Sequence, residues 1–215
     1  MGLLRLRFSL MSTLTAVPRA VARFQREYPG VQLQLQPGGS AEQLRALGAG
    51  ECDIGFMAFK RDKEPFATEL LEQASLVAVL PTRHALAGAA AVELRALASE
   101  RFVFLGRQSE PQIDAFFRAH CARAGFEPKV VMEVEQLEAL LSFVAAGVGV
   151  SCAPALVNRL PFPGVRTVPL LPVIQGGISA VWSADKLSAT GERFLRVLRE
   201  ELQRSKSRAA ARRVK

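Results

Sequence analysis

The chain has 215 residues, 49% of them apolar, enough for real cores in one large domain or two small ones. Its formal net charge is +8, but Arg204, Lys206, Arg208, Arg212, Arg213 and Lys215 supply +6 of it within the last twelve residues. The body keeps only +2, which excludes a basic nucleic-acid surface spread over the fold, and residues 204–215 are expected to form a solvated, disordered tail.

Leu4, Leu6 and Phe8 alternate with Arg5 and Arg7, the period of a half-buried strand. Ser12 or Thr13 caps the next predicted helix, which has Pro18 in its first turns, carries Val17, Val21, Phe24 and Tyr28, and stops at Pro29-Gly30. Val31, Leu33 and Leu35 alternate with glutamines as a second strand. Gly38-Gly39-Ser40 is a turn into a helix, and Ser40 to Gln43 has the S-x-x-Q form of a capping box. Asp53–Phe59 is a third strand, 60–66 a charged loop, and Ser75–Leu80 a buried strand. Strand 102–105, the polar loop 106–110 and the helix of Ile113, Phe116, Phe117 and Cys121 open a new unit. Strand 129–134, a helix and strand 148–153 follow. Pro154, Pro161, Pro163 and Pro169 mark loops, Ile178–Trp182 is a last strand, and Ser188–Leu202 a closing helix. Such alternation implies parallel, doubly wound sheets.

One motif occurs twice. Glu42-Gln43-Leu44-Arg45-Ala46-Leu47 runs on to Ala49-Gly50 and an apolar strand, and Glu135-Gln136-Leu137-Glu138-Ala139-Leu140 runs on to Ala146-Gly147 and another. Both copies follow a strand, so the repeat implies two similar α/β lobes. Helix N-termini turned toward the space between two such lobes attract anions, which points to a binder of a small polar ligand.

Catalysis has little to stand on. His84 and His120 are the two histidines, and neither neighbours a nucleophile in a known pattern; GxSxG, HExxH and P-loop motifs are missing. Cys52, Cys121 and Cys152 form no CxxC, so neither a metal site nor a cofactor is expected, and scattered thiols suit a reducing cytosol. Residues 1–10 lack the apolar core of a secretion signal, and no apolar run reaches the ~18 residues of a membrane span. Three strand-to-helix turns offer polar groups: Ser12 with Thr13, Ser40, and Arg107-Gln108-Ser109-Glu110. In open α/β sheets ligands bind at such carboxyl ends of strands, although Ser40 has an equal reading as a simple cap.

From Leu4 to about Leu202 the chain resembles the effector-binding domain of LysR-type transcriptional regulators. The resemblance is carried by Leu6-Arg7-Phe8 with Val17-Pro18-Arg19 and Phe24 to Val31, and by Gln43-Leu44, Leu47, Gly50 and Asp53-Ile54-Gly55. It continues in Leu76 to Pro81 with His84 to Ala87, and in Val144 to Val150 leading to Pro154. It implies an α/β fold of the type 2 periplasmic-binding-protein-like kind: two Rossmann-like lobes joined by two crossover strands, near Ser75–Leu80 and Leu171–Trp182. Lobe I would be 1–78 plus 173–203, and lobe II 79–172. A small effector, a carboxylate such as an aromatic acid or its ring-cleavage product, would lie between the lobes. Its contacts would come from Met11, Ser12, Thr13, Gly39, Ser40, Gln108, Ser109 and Pro111. The branch sensing such acids commonly has Ser where Met11 stands and Arg where Ala58 stands. Lys60, Arg61 or Arg107 would have to replace that charge.

The resemblance further implies a cytoplasmic homodimer pairing helix 17–28 of lobe I with helix 135–147 of lobe II. Operator DNA would be bound only through an N-terminal domain that this sequence lacks. The expected role is sensing rather than catalysis; the other readings are a transport-type solute-binding protein or an enzyme on the same fold.

Overall fold

A computed structural model describes residues 2–58 and 65–213. The chain divides into two compact units, one of Met1–Glu72 with Ile178–Lys215 and the other of Gln73–Gly177. The division falls a few residues away from the boundaries expected at 78/79 and 172/173. Two long strands carry the chain from one unit to the other, β4 (Phe66–Pro81) outward and β10 (Gln175–Ser183) back.

In the first unit, β1 (Gly2–Phe8), β2 (Val31–Pro37), β3 (Ile54–Ala58) and β10 lie in the order β2-β1-β3-β10. β1 is parallel to β2 and β3, whereas β10 is antiparallel to β3. The alternation in β1 turns Leu4 and Leu6 into the core. α1 (Leu10–Thr13) is a single short turn, and α2 (Val17–Glu27) starts afresh behind the N-cap Ala16. The expected single helix capped by Ser12 or Thr13 is therefore two. Their hydroxyls bond backward, to the Ser9 and Leu10 carbonyls, instead of capping forward. Val17, Ala20 and Phe24 face the core, where Phe24 meets Phe194 edge-on at 5.4 Å. α3 (Ser40–Ala49) precedes β3, and Gly50 ends it in the left-handed conformation, φ 71°, which an L side chain rarely adopts.

The second unit pairs β4 antiparallel with β8 (Ser151–Pro154) and β9 (Val165–Leu171). The short β5 (Val92–Glu93) is parallel to β9, and β6 (Arg101–Leu105) is parallel to β7 (Lys129–Val134). α4 (Pro111–Arg123) and α5 (Leu137–Ala145) complete it. Phe102, Phe104 and Phe117 centre its core. Leu137, Leu141 and Val144 of α5 are buried, so the apolar stripes of α2 and α5 largely serve their own units.

Three expectations fail for clear reasons. The sheets are mixed, because the chain returns through antiparallel strands at β4 and β10 as well as winding through βαβ units. The proline-marked stretch before 171 contains β9, where Val168 and Leu170 face the core and Pro169 still pairs in register with Val77. The basic segment also departs from expectation: helix α6 (Ala189–Arg213) continues through residues 204–213. Ala, Lys and Arg are strong helix formers, and an established helix propagates more easily than one nucleates.

Candidate functional site

Near the carboxyl ends of β2 and β3 one side chain ties two backbone segments to α3. Gln43, fully buried in α3, donates through Nε2 to the Gly38 carbonyl at 2.8 Å and to the Phe56 carbonyl at 3.1 Å. Phe56 also accepts the Ser9 N–H, and Phe8 accepts the Gly38 N–H, both at 3.1 Å. The polar edge of Gln43 thus replaces the capping box expected from Ser40 to Gln43. Gly39 is the N-cap, without a side-chain capping bond, and Ser40 is the first helical residue. Gly55 leaves the room this needs, since a Cβ there would lie 2.8 Å from Gln43 Oε1.

Arg7 adds a charge that the alternating sequence pattern does not single out. Its guanidinium pairs with Glu42 in the first turn of α3. The neighbouring Arg5 holds Asp53, with Nη2 donating to Oδ1 at 2.8 Å.

Met11, Ser12 and Ser40 are buried, while Thr13 and Gly39 are half-buried, all at strand-to-helix turns of the first unit. Ser12 Oγ donates to the Ser9 carbonyl and Thr13 Oγ1 to the Leu10 carbonyl, both at 2.7 Å, so these hydroxyl protons are already used. A carboxylate beside Ser12 and Thr13 would depend on backbone N–H groups, of which the first turn of any α-helix has several without intrahelical partners.

Gln108, Ser109 and Pro111 form the corresponding turn of the second unit. Gln108 and Pro111 are exposed, and Pro111 opens α4. Ser109 Oγ donates to the Gly106 carbonyl at 2.9 Å. Arg107 is committed to the buried Asp114 at 2.9 Å, an attachment that raises its pKa, and Arg118 bonds the same carboxylate. Of the three cations expected to replace a ligand-binding arginine, Arg107 thus serves this cluster, and Lys60 and Arg61 lie outside the described residues.

Both histidines have local partners. His84 Nδ1 accepts the Leu86 N–H and its Nε2 lies 3.2 Å from Glu100, whereas His120 Nδ1 meets the Phe116 carbonyl at 2.8 Å. Burial pushes the Cys52 thiol up to about 11 and the Cys121 thiol up to about 12, far from a reactive thiolate. Among the described residues no three His, Cys, Asp or Glu side chains cluster to hold a metal, and no helix is long and apolar enough to cross a membrane.

The model of the LysR substrate binding domain matches residues 1–203. The chain belongs to that family. Its mixed α/β units, joined by β4 and β10, are those of the type 2 periplasmic-binding-protein-like fold. The chain is 30% identical over 205 residues to the HTH-type transcriptional regulator IlvR of Caulobacter vibrioides, covering 93% of this chain and 68% of that protein. It is 31% identical to the uncharacterised HTH-type regulator YybE of Bacillus subtilis, over 72% of this chain and 52% of the relative. It therefore spans about half to two thirds of these relatives. The BenM effector-binding domain with its effector benzoate has the same fold, with a TM-score of 0.79 at 23% identity over 97% of this chain and 94% of that one.

Proposed function

We propose that this LysR domain is the ligand-sensing part of a transcriptional regulator, and that it takes a small organic anion at the first turn of α3. An aromatic acid or its ring-cleavage product is the favoured class. The observation that carries the reading is the placement of Gly39 and Ser40 at the head of a ten-residue helix, at strand ends tied together by Gln43. A helix N-terminus of this kind favours a carboxylate. Ligand occupancy would shift the domain between conformations and so bias the regulator, without catalysis by the chain itself. Operator contact falls to a helix-turn-helix segment outside this chain, in the cytoplasm. A thermal-shift screen of small carboxylic acids, benzoate included, tests the reading, because a ligand of the native state raises its stability. Calorimetry on Ser40→Ala should then show affinity weaker by about 0.5–1.5 kcal/mol. Unchanged affinity with an intact fold removes Ser40 from the site.

Self-association is part of the same proposal. The expected pairing residues on α2 and α5 are mostly core, with Ala20 of α2 fully buried. Leu35 on the edge strand β2 and Phe143 on α5 do remain exposed, and these are the surfaces proposed to pair in a homodimer. Phe143→Arg should weaken association at least tenfold in sedimentation, since it buries an unpaired charge. A wild-type chain that stays monomeric at high concentration refutes the homodimer.

A further inference from the structure

The last turns of α6 carry a dense run of one charge. The helix continues to Arg213 through Arg204, Lys206, Arg208 and Arg212, Lys215 follows it, and no acid stands after Glu201. The nearest acids are already engaged. Arg23 of α2 binds Glu200 and Glu201, and Arg204 shares Glu201 at 3.2 Å. Arg19 of α2 meets the same stretch, with Nη2 donating to Ser205 Oγ at 2.6 Å. Helix α2 therefore fixes α6 as far as Ser205 and sets an exposed cation, Arg19, beside the start of the basic run. The family match ends at residue 203, so the run lies past the matched residues.

Such a run opposes its own helix. Arg204, Arg208 and Arg212 follow one another at four-residue spacing, where like charges repel across one turn. A polyanion laid along that face would relieve the repulsion. A membrane surface would also need bulky apolar residues on the helix, and residues 204–215 offer only Ala209, Ala210, Ala211 and Val214. Duplex DNA needs none. It presents a charge every ~1.7 Å of its axis, and guanidinium, which supplies four of the six cations, grips phosphate oxygens by paired hydrogen bonds. We propose that the end of α6, together with Arg19 of α2, is a sequence-independent contact for the phosphate backbone of duplex DNA. DNA is the polyanion on which a transcriptional regulator works, so the proposal rests on the reading of the chain as part of one.

Fluorescence anisotropy of a labelled duplex of arbitrary sequence, titrated with the whole chain and no effector, tests it. Affinity should fall about 100-fold between about 50 and 200 mM salt, as for roughly four phosphates neutralised, and a duplex of unrelated sequence should bind within about twofold. Arg208→Gln combined with Arg212→Gln and Arg213→Gln should weaken binding at least about tenfold at the lower salt and flatten the salt dependence. Glutamine is a good helix former, so helix content by circular dichroism should not fall. Arg83→Gln combined with Arg95→Gln and Arg101→Gln removes the same charge from exposed positions of the second unit and should leave affinity within about twofold. The proposal is overturned by absent binding at the lower salt, or by equal weakening in the two triple variants, which would mark net charge alone. Vesicles of phosphatidylserine and phosphatidylcholine that bind the chain as tightly as the duplex overturn it too. None of these outcomes alters the thermal-shift result for an effector, so the two readings fail separately.

Discussion

The two copies of the repeated motif leave their helices alike and enter them differently. At the exit, Gly50 and Gly147 both adopt positive φ, 71° and 81°. Three residues further on, Asp53 N–H donates to the Arg5 carbonyl at 2.9 Å, and Val150 N–H donates to the Arg101 carbonyl at 2.8 Å. At the entrance, the first helix begins at Ser40, so Glu42 and Gln43 fall inside it and Gln43 is buried. The second begins at Leu137, so Glu135 precedes it and Gln136 is an exposed N-cap. The cause is local. Gly38-Gly39-Ser40 places a helix start upstream of the first copy, whereas the second follows directly on β7. The same six-residue pattern thus produces a tie between strand ends in one unit and a solvent-exposed cap in the other.

The largest expected effect tests the shared exit. Cys52 and Gly149 hold corresponding positions, but Cys52 Sγ sits 3.7 Å from the Arg5 carbonyl, whereas a Cβ at Gly149 would press into the Arg101 carbonyl. Backbone cannot yield as a flexible side chain does, so Gly149→Ala should cost about 2–3 kcal/mol in urea unfolding. A loss below about 1 kcal/mol would mean that the Arg101 carbonyl is not fixed as its counterpart is.

The difference at the entrance can be broken next. Gln43→Ala removes donors to the Gly38 and Phe56 carbonyls and leaves a cavity, although the Ser9 N–H still reaches Phe56. About 2 kcal/mol should be lost. Gln136→Ala should stay within about 0.5 kcal/mol, as for an exposed residue. Equal losses would show that the entrances do the same structural job.

This contrast marks how far the sequence could be read. Alternation in Leu4-Arg5-Leu6-Arg7 and the glycines at 50 and 147 located β1 and both helix exits, because period and backbone freedom are local properties. The Gln43 bonds were not legible, since they join two carbonyls, 5 and 13 positions away, that only the folded strands bring beside one side chain. Arg7 was visible as a charge, but its partner Glu42 lies 35 positions away. β9 was hidden by prolines that sit where the strand tolerates them. The tail looked disordered from its charge, although its alanines and basic residues equally suit an extended helix.

The smallest effect concerns the thiols, which separate the two units by degree. Cys52, in the first copy, is pushed up to about 11, while Cys121 in the second unit is pushed up to about 12, both by burial from the ordinary 9.0. The native state therefore keeps these protons at pH values where the unfolded chain releases them. Their contribution to stability is fully present below about pH 9 and fades as the pH climbs through 11 and 12. Urea midpoints measured from pH 8 to pH 10.5 should fall as the unfolded thiols ionise. Other groups titrate in this range, so the slope is compared with variants and the absolute midpoint is set aside. Cys52→Ala should flatten the slope slightly and Cys121→Ala more, because the larger shift leaves a wider window in which only the unfolded thiol ionises. Identical slopes in wild type and both variants would show that neither thiol is protected by its unit.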